Sequence, residues 1–184
     1  MAGKCRLGLK IMHLSRISIF QLCHLILCGF ALANCNFATA GTSQSAASLE
    51  QEQVCLVSGP NLIRLTVEVA TTPSQKKHGL MGRESLPESS GMLFTYSNLQ
   101  SPHQGFWMFN TLIPLDIAYL DHSGKILAIK SMPPCSSKAY NCPVYRAGVK
   151  YMAALEVNQG YFQRYGIQVG DRVLRSNKPG CSAP

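Results

Sequence analysis

Carboxylates are scarce in this 184-residue chain: nine Asp and Glu stand against 17 Lys and Arg, and residues 1 to 40 contain none. Charged residues make up only 14% beside 46% hydrophobic ones, a balance that excludes wholesale disorder, collagen and coiled coil. No G-x-G-x-x-G or G-x-x-x-x-G-K-[ST] run occurs, so the phosphate-cradling loops of nucleotide enzymes are missing. Lys76-Lys77 is the only adjacent basic pair after residue 40, which leaves nucleic-acid binding without the basic stripe it needs. No C-x-x-C, M-x-x-M or H-x-M cluster is present, so redox-motif and copper readings have nothing to rest on. Met81, Met92, Met108, Met132 and Met152 occur singly within apolar runs and read as core filler. No internal repeat is apparent, and no cofactor or metal site is expected.

What is present divides the chain. Lys4, Arg6, Lys10 and Arg16 precede an apolar run from Ile17 to Leu32, and small residues ending Ala38-Thr39-Ala40 follow. This is the order of a secretory signal peptide, with cleavage expected after Ala40. Retention as a membrane anchor is the alternative, since spanning takes about 20 apolar residues and Ser18, Gln21, His24 and Gly29 interrupt the run. Acylation at Cys35 is a third, opposed by Asn34 where a small residue is expected. Contact with a membrane would arise only through this segment, if it is uncleaved or lipidated. Residues 41 to 184 hold 13 basic and nine acidic side chains, a mild net +4, and are expected in the periplasm or outside the cell, where disulfides persist.

Residues 41 to 53 lack an apolar period and read as a flexible linker, with a single domain from 54 to 184. Ile63, Leu65, Val67 and Val69 alternate with polar residues, the period of a strand with one buried face. Thr72-Pro73-Ser74-Gln75 is a capping box with proline at the first helical position, predicting a helix from Pro73 to about Met81, stopped by Gly82. Short apolar runs at 91 to 96, 105 to 109, 116 to 120 and 125 to 130 predict four further strands, the last two joined as a hairpin by Asp121-His122-Ser123-Gly124. The stretch from Ser131 to Val149 is too long for a mere connector. Residues 151 to 157, 159 to 165 and 172 to 175 read as strand, short helix and strand. The expected fold is α+β: a predominantly antiparallel, barrel-like curled sheet with two short helices.

His78-Gly79-Leu80-Met81-Gly82-Arg83, Gly91-Met92-Leu93-Phe94, Phe106-Trp107-Met108-Phe109-Asn110-Thr111 with Ile113-Pro114-Leu115-Asp116-Ile117, Ala154-Leu155-Glu156-Val157 and Gly166-Ile167-Gln168-Val169-Gly170-Asp171 occur in that order. As a set they resemble the small prokaryotic family known as domain of unknown function 192, over roughly residues 60 to 175. The resemblance implies a compact β-rich domain, commonly behind an export signal, with no established activity. Phe109 departs from it, standing where the family commonly has lysine or another polar residue.

Several residues carry candidate chemistry. Arg83 suits a carboxylate or phosphate, whether a ligand's or that of Asp116. Asp116 and Glu156 each sit in apolar runs where a buried carboxylate is costly without a partner; facing each other across a cleft they would be a general acid and base. Asn110 and Thr111 follow the aromatic strand, where they turn the backbone or meet a ligand. Trp107 and Phe109 share one face of that strand, Phe106 and Met108 the other, and one face is expected in the core. Cys135 and Cys142 are expected to pair, and a Cys55–Cys181 bond would pin both ends of the domain, although four cysteines allow three pairings. His78, His103 and His122 are too scattered to support a thiolate nucleophile.

Three functions are compatible with these features. The first is a non-enzymatic exported module binding a small molecule, glycan or envelope protein near Arg83, Trp107, Asn110, Thr111, Asp116 and Glu156. The second is a hydrolase or lyase, which needs the Asp116 and Glu156 carboxyls roughly 5 to 9.5 Å apart in an open pocket. The third is a structural or assembly protein of the envelope.

Overall fold

The alternation around Leu65 builds the strand it predicts. In the computed structural model, which describes residues 49–136, 141–177 and 181, this strand is β2 (Asn61–Ala70), with Leu65, Val67 and Val69 buried and Arg64 and Thr66 exposed. The expected signal segment and most of the expected linker lie outside the described residues. The end of the linker is corrected: Glu50 to Gln53 begin β1 (Glu50–Ser58), paired antiparallel to β2 from Glu50↔Val69 to Ser58↔Asn61. A ladder of backbone hydrogen bonds needs no apolar side chains, so this polar stretch gave no strand signal.

Thr72 caps α1 (Pro73–His78) as expected: its hydroxyl accepts from the Gln75 N–H at 3.3 Å, and the Gln75 side chain accepts from the Thr72 N–H at 2.9 Å. The helix stops earlier than Gly82, because Gly79 at φ +51° takes the C-cap and donates to the Gln75 carbonyl at 2.8 Å. The chain then enters β3 (Ser90–Gln100), parallel to β2 from Thr66↔Ser90 to Ala70↔Phe94 and antiparallel to the strand on its other side. A parallel pair needs a crossover, and α1 lies within it.

The remaining elements are β4 (Gly105–Trp107), β5 (Leu115–Leu120), β6 (Ile126–Met132), β7 (Val144–Arg146), β8 (Tyr151–Asn158), α2 (Tyr161–Arg164) and β9 (Arg172–Arg175). The β5–β6 hairpin forms as predicted, with the Asp121 carboxylate accepting from the N–H groups of Ser123 and Lys125 at 2.7 and 3.0 Å. The main sheet runs β6-β5-β8-β3-β2-β1-β9, and β4 and β7 form a separate ribbon. The sheet curls until its outer strands meet: Ile126 N–H donates to Asp171 O, Gly170 N–H to Ile126 O and Val173 N–H to Gly124 O, at 2.8 to 2.9 Å. The strand at 144 to 146, inside the stretch expected as a loop, exists because its partner β4 is brought to it.

Two apolar layers flank the curled sheet. Leu56, Leu65, Val67, Leu120, Leu155 and Val157 fill its concave side, closed at one end by Phe162 and Ile167. Met92, Phe94, Ile117, Tyr119 and Ala154 face the other way, under Leu80, Met108 and the β4–β7 ribbon. The Tyr119 hydroxyl ties this ribbon down by donating to the Tyr145 carbonyl at 2.5 Å. Both expected disulfides, Cys55–Cys181 and Cys135–Cys142, are formed.

Candidate functional site

The second layer is incomplete, and the gap is a cleft of about 230 Å³ between α1, β3 and β4. Its floor is Glu156. Register places this residue opposite Met92 on β3 and Ile117 on β5, so its side chain projects into the Met92, Phe94 and Ile117 layer. It is 5% exposed, hydrogen-bonds to no described residue, and keeps its carboxyl oxygens open to the cleft. Burial with no compensating partner pushes its pKa up to about 8, so the group is a neutral carboxylic acid at neutral pH.

Phe94, Tyr96, Phe106 and Trp107 provide aromatic wall. Phe94 and Phe106 meet edge to face at 4.8 Å. Burial raises the pKa of Tyr96 and Tyr119, and repulsion from Tyr151 and Glu156 adds to it, so both phenols keep their protons. Trp107 is 43% exposed, stacked on Phe109 at 4.5 Å, with its indole N–H donating to the Cys142 carbonyl at 3.0 Å. Phe106 and Met108 face inward as the alternation requires, with Met108 fully buried. The mouth carries Lys76, Lys77 and His78 from the last turn of α1, and Lys76 Nζ sits 4.4 Å from the Tyr96 ring centroid.

The other expected site residues are distributed differently. Thr111 is 4% exposed and lines the cleft. Asn110 adopts φ +54° and its carbonyl accepts from Gly82 N–H at 2.8 Å, a turning role. Asp116 projects from the opposite face of the sheet from Glu156, because it neighbours Ile117, the register partner of Glu156. There it accepts from Ser131 Oγ at 2.6 Å and Gly160 N–H at 2.8 Å. A sheet lies between the two carboxyls, so the facing acid and base are not formed. Arg83 meets neither: it forms a two-point ion pair with Glu68 at 2.5 and 2.6 Å. Glu68 was missed as a partner because it lies fifteen residues upstream on another element. Lys76 and Tyr96 were also missed as cleft residues; their adjacency arises only from the parallel crossover.

A model of the family described as uncharacterized ACR, DUF192, matches residues 55–174, across the sheet and the cleft. The chain belongs to the DUF192 family. A crystal structure described as a putative transcription regulator from Sinorhizobium meliloti 1021 is similar at 30% identity and TM-score 0.63, covering 70% of this chain and 96% of that one. Another, of a protein of unknown function from Novosphingobium aromaticivorans, is similar at 28% identity and TM-score 0.60, covering 70% and 88%. No curated protein matches the chain. DUF192 thus fixes the fold of the domain and leaves the chemistry of the Glu156 cleft to be argued from its residues.

Proposed function

We propose that this DUF192 domain is an exported, non-enzymatic binding module that takes a small molecule in the Glu156 cleft. The observation that carries this is the carboxyl itself: buried, without a hydrogen-bond partner among the described residues, and open to an aromatic-walled space. Leaving a buried polar group unmatched costs about 1–3 kcal/mol, and a ligand hydroxyl or amide would supply the missing partner. The volume, about 230 Å³, suits a molecule the size of one sugar ring. Export is supported by the two disulfides and by the basic-apolar-small order of residues 1 to 40, and no helix among the described residues is long and apolar enough to cross a membrane. An acid/base hydrolase lacks support, since Asp116 and Glu156 serve opposite faces. A role in transcription regulation, the description given to the Sinorhizobium protein, finds no recognition helix to rest on among the described residues, whose two helices have six and four residues.

A thermal-shift screen of the full chain against monosaccharides, small carboxylates, nucleotides and metals tests the reading. A ligand should raise the midpoint of the parent and of Asp116→Asn but not of Glu156→Ala. A shift that survives Glu156→Ala, or silence across the panel with all variants folded, overturns it.

A further inference from the structure

The charge around the cleft is one-sided. Arg83, Arg164 and Arg175 are each matched with a glutamate, Glu68, Glu88 and Glu52. Lys76, Lys77 and His78, the three basic groups at the cleft mouth, are matched with no acid among the described residues. Glu156 is the only carboxyl in the lining, and it is at the floor. Basic side chains in a last helical turn also complement the helix dipole, but a six-residue helix needs little of that. The mouth therefore favours an anion, while the floor offers a group that donates one hydrogen bond and accepts others.

Aromatic wall lies between the two. Trp107 leaves much of its surface open at the rim, and Phe94 and Phe106 stand deeper. The C–H face of a pyranose packs against such rings, whereas its hydroxyls need partners at the end away from solvent. We infer that the cleft binds a single sugar ring bearing a carboxylate, with the ligand's charge at Lys76 and Lys77 and its hydroxyls against Glu156. This rests on the small-molecule reading above and names the ligand class. A free sugar acid and the acidic terminal unit of a glycan present the same chemistry.

Trp107 is the only tryptophan, so its emission reports occupancy directly. Three probes share one ring and differ in one group: glucuronate, neutral glucose and cationic glucosamine, each titrated into the full chain. Glucuronate should bind about tenfold tighter than the other two, the worth of one charge-assisted contact. The Lys76→Gln/Lys77→Gln double variant should abolish that preference while retaining weak glucose binding, and Lys125→Gln, which removes one positive charge outside the cleft, should leave it unchanged. A disaccharide with terminal glucuronate separates the sources: tighter binding than the monosaccharide assigns a glycan end, weaker binding a free sugar acid, and both support the class.

The titratable groups that interact with Glu156 are Tyr96 from β3 and Tyr119 from β5, with the α1 bases at the mouth. Glucuronate affinity should fall above about pH 8 in the parent, as Glu156 ionises against the ligand, and stay level in Glu156→Gln, which keeps a donor. Equal binding of all three sugars, or preference for glucosamine, overturns the acidic class while leaving the small-molecule reading intact. Failure of all three to bind also overturns the class; the small-molecule reading is then decided separately by the Glu156→Ala panel.

Discussion

Replacing Glu156 by glutamine should stabilise the protein at neutral pH, although it removes a carboxyl from a candidate binding site. The ordinary value for this group is 4.5, and burial raises it to about 8. In the unfolded chain the carboxyl has lost its proton by pH 7; in the folded chain it has kept it. The folded state binds more protons than the unfolded state between those two values, so stability falls as pH rises, by about 1.4 kcal/mol per pH unit. The contribution is fully present below the unfolded value and is lost by the time the folded group ionises. At pH 7 the accumulated loss is at most about 3 kcal/mol. Glutamine has the same shape and no titration. Urea unfolding of parent and Glu156→Gln at intervals from about pH 5 to about pH 8 isolates the effect, since every other titrating group is common to both. The stability difference between variant and parent should widen steadily with pH. Parallel pH profiles would mean that the carboxyl is well solvated in the folded state, and the reasoning from its burial would be refuted.

Other outcomes follow from the same structure. The Arg83–Glu68 pair is partly exposed, 31% and 23% at the side chains, so a double-mutant cycle with Arg83→Ala and Glu68→Gln should give a coupling of only about 1 kcal/mol. Hydrogen bonding from Arg83 holds Glu68 below its ordinary value, so the coupling should be present at neutral pH and vanish as acid protonates the carboxylate. Removing the Cys135–Cys142 bond should cost about 2 kcal/mol and red-shift the emission of Trp107, which loses a fixed Cys142 carbonyl, whereas removing Cys55–Cys181, with its 126-residue separation, should cost about 5 kcal/mol and leave the emission in place. Gly105→Ala would set a Cβ 2.2 Å from the Tyr145 carbonyl oxygen, so the β4–β7 ribbon should splay at a cost of about 1–3 kcal/mol, read by unfolding and by greater quenching of Trp107.

Local chemistry was legible from the amino acids, and pairing was not. The Ile63 to Val69 alternation, the Thr72 capping box and the Asp121 turn each act within a few residues, and each appears where expected. Glu50 to Gln53 and Val144 to Arg146 are strands because neighbouring backbone completes their ladders, a property absent from their own side chains. The cost of burying Glu156 was visible in Leu155-Glu156-Val157; the face it takes was not. That face depends on the register Ile117↔Glu156, and a shift of one residue would have put Asp116 and Glu156 on the same side. Arg83 announced that it needed a carboxylate without indicating which of nine it would find.

The bond between Cys55 and Cys181 also decides how the domain meets tension. Cys55 lies within β1, beside β9, and Ser176 N–H donates to the Gln53 carbonyl at 3.0 Å, so the two ends of the fold leave side by side. A pull applied through the backbone before residue 55 and beyond residue 181 passes from one sulfur to the other, and the chain between the two cysteines cannot be drawn out. Only the short run from Glu50 to Val54 can peel from β2. Oxidised, the domain is an inextensible bead on a line; reduced, the same pull can draw out the intervening chain and take the Glu156 cleft apart with it.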